Sequence, residues 1–236
     1  MTATKKTVLF IVEGPSDKAA LEKIFKSVYR RSKNIEFKFT SGDISSNFKA
    51  KPENVEKRLE QILTDFLNDK KLRQSDVFQI IELFDMDGAY IPETAVLPGE
   101  TEKFCYTEES ISCVEPDRVI KRNEIKKTVM DYLLTVKDVK GIPYEMYFLS
   151  RNLDHALYNC GSLNDDLKVE YADEFYEAFL GREYMFEEFL KTDVVNGVPD
   201  SYEESWAYIR EGLHSLERHT NLHLYFTRHP VPDGLL

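Results

Sequence analysis

Strand-like and helix-like segments alternate along the first 150 residues, and this alternation is the strongest constraint on the fold. Four segments have the composition of strands: KTVLFIV (6–12), NIEFKFT (34–40), VFQIIELF (77–84) and YEMYFL (144–149). Between them, three segments are predicted to be helices: 16–28, 52–68 and 117–136. Because strands joined through helices run parallel with right-handed crossovers, the sequence predicts an α/β fold with a mainly parallel sheet.

Two regions depart from this alternation. Residues 89–116 are too long for a simple connection, so they predict an insertion after the third strand, in which FCYTEESISCV forms a short strand or a hairpin. Beyond residue 150 the chain has the pattern of short helices rich in Glu, Tyr and Phe, at 164–180, 183–191 and 202–218. We therefore expect an α/β core at 1–150 and a helical C-terminal extension at 151–236 that packs on it.

The charge is unevenly distributed. The net charge is −11, which argues against simple nucleic-acid binding. Residues 1–75, however, hold 16 Lys and Arg against 10 Asp and Glu, a balance of +6, which leaves −17 for residues 76–236. A basic N-terminal face would attract phosphate while the rest repels it. The alternative is that the acidic charge serves only to keep the protein in solution.

Apolar runs and cysteines indicate the compartment. No apolar run is long enough to span a bilayer, and the run before Glu13 is too short for a signal peptide. Cys105, Cys113 and Cys160 are too few and too scattered for a disulfide framework. We expect a reduced, cytoplasmic protein with no membrane partner.

Acidic residues follow two of the predicted strands. Glu13 and Gly14 end the first strand, and Asp85 and Asp87 come just before Gly88 at the end of the third. In extended chain, residues i and i+2 point to the same face, and the carboxyl ends of parallel strands are where α/β sheets bind ligands. Two carboxylates at such an edge suit Mg²⁺. The alternative is that DMDG only forms a turn, since Asp and Gly are common turn residues.

The role of Glu13 depends on which neighbour dominates. Nearby carboxylates would raise its pKa and make it a general acid or base, whereas a metal ion would lower its pKa and make it a further ligand. The sequence leaves both alternatives open.

The two acidic motifs together resemble the Toprim domain. That domain has a strand, EG, a helix and, about seventy residues on, a strand followed by DxDG. The matching residues are Glu13 and Gly14 in VEGPSD, and Asp85, Asp87 and Gly88 in DMDG.

The resemblance covers roughly residues 6 to 150. It implies a Rossmann-like core, a divalent metal ion, Mg²⁺ or Mn²⁺, held by Asp85 and Asp87, Glu13 as general acid or base, and chemistry at phosphodiesters. The chain lacks the tyrosine gate of Toprim topoisomerases, the zinc-binding cysteines of primases, and the GxxxxGK[ST] loop of the overcoming-lysogenisation-defect nucleases. It is therefore most similar to small stand-alone Toprim proteins, which include defence nucleases that work beside a separate ATPase and RNA-processing enzymes.

Further candidates surround these motifs. Gly14, Ser16 (the predicted N-cap of the first helix), Lys18 and Gly88 are candidates for binding substrate phosphate, because the N–H groups of a helix start attract anions. Additional candidates are Asp17, Arg151, Asp154 and His155. Lys18 would otherwise be a solvated lysine, and Asp154 would otherwise favour the dipole of a helix capped by Ser150 or Asn152.

We expect a metal-dependent phosphodiesterase, a nuclease acting on DNA or RNA in phage defence or nucleic-acid processing. Two alternatives remain. In the first, the chain is a Toprim-like binding or regulatory subunit that needs a protein partner, such as an ATPase or a nuclease. In the second, it is an unrelated phosphotransfer domain that accepts phosphate on Asp85. A homodimer through the helical half would bring two basic N-terminal faces together, although nothing in the sequence requires one.

Overall fold

Strands and α-helices alternate from β1 to β3, and the strands of an insertion, one long helix and two more strands follow as far as Leu149. The computed structural model describes residues 6–30, 35–42, 44, 51–161, 163–194 and 197–229. The described strands are β1 (Lys6–Val12), β2 (Ile35–Ser41), β3 (Val77–Asp85), β4 (Val96–Pro98), β5 (Cys105–Tyr106), β6 (Ile111–Cys113), β7 (Asp138–Val139) and β8 (Ile142–Leu149). The described α-helices are α1 (Pro15–Val28), α2 (Pro52–Lys70), α3 (Pro116–Leu133), α4 (Leu153–Tyr158), α5 (Lys168–Phe179), α6 (Met185–Phe189), α7 (Tyr202–Tyr208) and α8 (His223–Arg228).

The main sheet has the strand order β2-β1-β3-β8-β7. Three of its four neighbour pairs are parallel, and only the two-residue β7 runs antiparallel to β8. The predicted α/β fold with a mainly parallel sheet is thereby confirmed. The chain leaves β1 in one direction to form β2 and then crosses to the other side of β1 to form β3. The carboxyl ends of β1 and β3 therefore flank the point where the strand order reverses, which is where open α/β sheets bind ligands.

The core is continuous between the sheet and the C-terminal helices. β1 is buried from Thr7 to Val12, because helices cover both of its faces. Phe10 stacks on Phe39 with ring centres 4.8 Å apart, and Tyr225 of α8 meets Phe10 edge-on at 5.3 Å. The segments after residue 150 thus close one face of the sheet.

The insertion after β3 forms a small sheet of its own, with the order β4-β6-β5. β5 and β6 pair antiparallel, Tyr106 opposite Ile111, so FCYTEESISCV forms the hairpin that was one of its two predicted structures. A small apolar core that includes Ile111, Val119 and Leu216 joins this sheet to α3 and to the C-terminal region.

Several predicted helix boundaries differ from the structure, among them the end of α3 at Leu133 and the start of α5 at Lys168, and two differences have a clear local cause. α1 has Gly14, not Ser16, as its N-cap, because Pro15 fits the first helical position and the Asp17 carboxylate accepts the Gly14 N–H at 2.7 Å. The predicted helix 202–218 ends at Tyr208 as α7, and turns follow, one of them at Gly212 with φ +53°. The predicted strand 34–40 is β2 at Ile35–Ser41, and Asn34 lies outside the described residues. None of the described helices is long and apolar enough to cross a membrane.

Candidate active site at the carboxyl end of the sheet

Three carboxylates meet where the sheet reverses its strand order. Glu13 directly follows β1, Asp85 is the last residue of β3, and Asp87 lies two residues further on. The side chains of Glu13 and Asp87 are 31% and 24% exposed, whereas Asp85 is buried. Burial, followed by repulsion from Glu13 and other neighbouring carboxylates, raises the pKa of Asp85 well above its usual value. The Glu13 and Asp85 pair is therefore close, as the sequence predicted.

The DMDG segment, which begins at the last residue of β3, is hydrogen-bonded to the last residue of β8 and to the two residues after it. The N–H groups of Met86, Asp87 and Gly88 donate to the carbonyl oxygens of Leu149, Arg151 and Ser150, at 2.9, 2.9 and 3.1 Å. This second set of bonds fixes where DMDG lies relative to the sheet.

The prediction that Asp85 and Asp87 project from one extended strand was wrong. Asp87 has φ +52°, because the strand ends at Asp85 and the chain turns. The two carboxylates are close nevertheless, since Asp87 contributes to the raised pKa of Asp85. Gly88 follows with φ +67°, and a Cβ there would lie 2.6 Å from Leu216 Cδ2. Gly88 is thus a residue of the turn, required for its backbone and its packing.

A buried lysine lies among the carboxylates. Lys126 of α3 is 1% exposed, and its ammonium donates to the Asp87 carboxylate and, at 2.7 Å, to the Asp85 carbonyl oxygen. Its Nζ is also 3.9 Å from Glu13 Oε2. Burial lowers the pKa of Lys126, but Asp87 and Glu13 raise it more, so the net shift is upward. Lys126 is therefore an internal counter-ion of the site.

Arg122 lies one turn before Lys126 on the same helix. Its guanidinium donates to the Asp87 carbonyl oxygen at 2.9 Å and to the Tyr106 hydroxyl at 2.7 Å. Arg122 thereby links the insertion hairpin to the DMDG turn.

The sequence analysis missed Arg122 and Lys126, although a signal was present. The buried face of α3 follows helical spacing, and it contains polar residues among the apolar ones: Val119, Arg122, Asn123, Lys126, Val129, Met130 and Leu133. Charged residues are almost never fully buried unless they are paired. Their position on the inward face of a helix indicates a buried partner of opposite charge.

Asp17 and Asp154 extend the acidic cluster. Burial, and repulsion from Asp154, raise the pKa of Asp17, which in turn contributes to the raised pKa of Asp85. Asp154, in the first turn of α4, forms an ion pair with Lys168 at 3.5 Å. Both predicted additional acidic residues therefore lie on the same side of the sheet as the main site.

The predicted phosphate-binding groups at the start of α1 are engaged locally. The Gly14 N–H donates to the Asp17 carboxylate, and the Ser16 hydroxyl also bonds to Asp17. A phosphate would have to replace these bonds. The Lys18 side chain is half-buried and lines a cavity beside α1.

Arg151 lies next to Asp87, whose N–H bonds to its carbonyl oxygen, whereas His155 lies among cations. The guanidinium of Arg151 is 5.0 Å from the Tyr106 ring centre and donates to the Gly161 carbonyl oxygen at 2.7 Å. His155 is buried beside Arg151 and Arg218, and burial together with these cations lowers its pKa to about 4. His155 is thus neutral near pH 7 and faces cations, not the carboxylates.

The donor set is chemically suited to a divalent cation. With all three carboxylates ionised, Glu13, Asp85 and Asp87 contribute three negative charges. Lys126 and Arg122, whose guanidinium is 3.7 Å from the Asp87 carboxylate, return two positive charges, which leaves one negative charge. Carboxylate oxygens are the ligands that a hard divalent cation takes. Lys126 lies between these groups, however, and among the described residues no three Asp, Glu, His or Cys side chains are already arranged to hold a metal ion.

No family model, no curated protein and no solved structure matches this chain. The candidate site is therefore supported by its own geometry.

Proposed function

We propose that this protein is a metal-dependent phosphodiesterase of the Toprim type, a nuclease that uses Mg²⁺ or Mn²⁺. The observation that carries the proposal is the meeting of Glu13, Asp85 and Asp87 at the strand-order reversal, where burial, followed by repulsion from Glu13 and the other carboxylates, raises the pKa of Asp85. Such strongly perturbed groups cluster at functional sites.

The exposure of each carboxylate suggests its role. Asp85 and Asp87 would hold the metal ion, with Glu13 as a further ligand or as the proton-transfer group; the bound ion would supply positive charge at the phosphate. Glu13 is the most exposed of the three, so it is the group best placed to exchange a proton with a substrate oxygen or a water molecule.

Lys126 and Arg122 act as positioning residues in this proposal. Lys126 is too buried to reach substrate, but its bonds to the Asp87 carboxylate and the Asp85 carbonyl fix both groups relative to α3. Arg122 fixes the Asp87 carbonyl in the same way.

The test is a cleavage screen of single- and double-stranded DNA and RNA with Mg²⁺ or Mn²⁺, comparing wild type with Glu13→Gln. We expect the variant to lose activity by about 100-fold or more, the usual contribution of a general acid or base. Glu203→Gln, at an exposed residue of α7, is the matched control and should cleave like wild type. Equal cleavage by wild type and a folded Glu13→Gln variant would refute the proposed role.

A second candidate function is favoured by two observations. Lys126 already neutralises part of the carboxylate charge, which a metal-free, non-catalytic site would need. In addition, exposed apolar side chains, Leu180 at 62% and Tyr184 at 67%, lie between α5 and α6 near a cavity of about 400 Å³ that Phe179 and Phe189 line. In this alternative the chain is a binding module that docks a larger ATPase or nuclease subunit through its helical half.

Cleavage and partner binding separate the two candidates. If the chain is a binding module, it should not cleave alone and a partner should co-purify with it. Leu180→Ser/Tyr184→Ser should then abolish the co-purification. The phosphodiesterase predicts cleavage by the chain alone, with no effect of that double substitution. The phosphotransfer alternative is disfavoured because Asp85, its acceptor, is buried.

A further inference from the structure

A groove lined by residues other than those of the carboxylate cluster lies beside α1. It is a cavity of about 450 Å³ lined by one face of α1, by β2 and by Lys70 at the end of α2. β2 is the terminal strand in the order of the main sheet. The groove therefore lies at the edge of the sheet.

The lining of the groove is strongly basic. Its charged members are Lys18, Lys26, Arg30, Lys38 and Lys70 against Glu22 and Glu36. Five cations and two anions give a local charge of +3, in a chain whose net charge is −11. A concave surface lined by one sign of charge concentrates ligands of the opposite sign.

The cations are available to a ligand. Lys26 pairs with Glu22 at 2.8 Å and Lys38 with Glu36 at 3.2 Å. Lys70 pairs with Asp69, outside the groove lining, at 2.5 Å. All three pairs are partly exposed, and such pairs are weak enough to be exchanged. Among the described side chains, Lys18 and Arg30 have no carboxylate within ion-pair distance. The basic character of the groove is thus not cancelled locally.

The groove extends from the candidate site. Lys18, Glu22 and Lys26 are spaced four residues apart on α1, over about 12 Å, and Arg30 follows in the turn after the helix. Lys18 is adjacent to Asp17, whose charge contributes to the raised pKa of Asp85. A chain of phosphates bound along this face would therefore end beside the carboxylate cluster.

We propose that this groove binds a single nucleic-acid strand through its phosphates and leads it to the candidate site. The inference rests on the proposed nuclease function and names a binding surface for its substrate. A single strand is the expected occupant, because proteins bind single strands through a positively charged groove that follows the backbone, and this groove is concave and lined by five cations.

The test measures binding without cleavage. A fluorescein-labelled single-stranded oligonucleotide, as DNA and as RNA, is titrated by anisotropy in EDTA against wild type and Lys26→Gln/Arg30→Gln/Lys38→Gln. The matched control is Lys57→Gln/Arg58→Gln/Lys121→Gln, which removes three exposed cations from α2 and α3. Both variants lose three positive charges, so their overall charge is the same.

We expect the groove variant alone to weaken binding. Three phosphate contacts contribute about 2 to the slope of log K against log salt for a single strand. Relative to the binding constants at 1 M salt, the groove variant should therefore bind about 100-fold more weakly than wild type at 0.1 M salt. If the triple variant does not fold, Lys26→Gln/Arg30→Gln, which changes only exposed residues, should still reduce the slope by about 1.4.

Three results would overturn the proposal: equal binding by wild type and the groove variant, equal weakening by both triple variants, or no binding by wild type at low salt. Since the measurement needs no cleavage, an inactive protein that shows the expected binding would refute the nuclease and leave the groove standing. If the protein cleaves nucleic acid and the groove variant binds like wild type, the groove is refuted and the nuclease stands.

Discussion

Lys126→Met isolates the contribution of the buried counter-ion. Methionine is one atom shorter than lysine, is unbranched and has no charge, so the bonds to Asp87 and to the Asp85 carbonyl are lost while most of the packing in α3 is kept. Three carboxylates then face one another without their common partner. We expect the protein to be less stable and to respond more strongly to divalent cations.

The expected magnitude follows from the distances. At an effective dielectric constant of about 20, the Glu13–Lys126 pair at 3.9 Å attracts by about 4 kcal/mol. Loss of one partner of a buried pair costs about 3–5 kcal/mol, but water reaches part of Glu13 and Asp87, which are 31% and 24% exposed. We therefore expect a loss of about 3 kcal/mol in the free energy of unfolding, or about 6–12 °C in Tm for a chain of this size.

The assay is urea unfolding in EDTA and in Mg²⁺, with Lys121→Met, an exposed residue of α3, as control. A cation that binds only the folded state adds about 2.7 kcal/mol at 100 times its Kd, so Mg²⁺ should restore most of the lost stability in Lys126→Met. A loss below about 0.5 kcal/mol, the usual effect of a surface substitution, would show that Lys126 is not the counter-ion. An unstable variant without a Mg²⁺ response would show that the carboxylates do not bind the cation.

Three further predictions concern the surrounding structure. Burial raises the pKa of Glu82 to about 7, despite the hydrogen bond from Tyr144, so stability should fall as the pH rises from about 4.5 to 7. Glu82→Gln should remove up to about 3 kcal/mol of this pH-dependent loss of stability, measured from the midpoints of urea unfolding between pH 4.5 and 7. Gly88→Ala should cost about 1–3 kcal/mol in thermal unfolding, since φ is +67° and the new Cβ meets Leu216. Asn221→Ala should cost about 2 kcal/mol in the same assay, because it leaves the buried Phe148 N–H without its acceptor at 2.8 Å.

The sequence predicts those parts of the site that depend on strand order along the chain. The strand and helix periods place Glu13 and Asp85 at the ends of strands, and parallel pairing brings both ends to one edge. The position of these residues at strand ends follows from local patterns, and the meeting of the two ends follows from the handedness of crossovers. The hairpin at 104–114 is predictable for the same reason, as one of two local structures.

The remaining parts depend on contacts between distant segments. Asp87 takes φ +52° because the DMDG turn bonds to the chain after β8, more than sixty residues later. Lys126 reaches the carboxylates only because α3 lies against the end of β3, which no local pattern specifies. α8 is short and polar in part, and its buried Tyr225 and Phe226 depend on the aromatic cluster of α1 and β2 that they complete.

The bonds between β8 and the C-terminal region set an order on folding during synthesis. Ser150 N–H donates to the His219 carbonyl at 3.0 Å, and Leu149 forms a bridge with Thr220. The strand end that supports the DMDG turn is therefore itself held by residues made some seventy positions later. While the ribosome still holds His219 and Thr220, the nascent chain can form the β1–β3 pairing but lacks the bonds that hold the end of β8, so the candidate site is completed only after these two residues have been made.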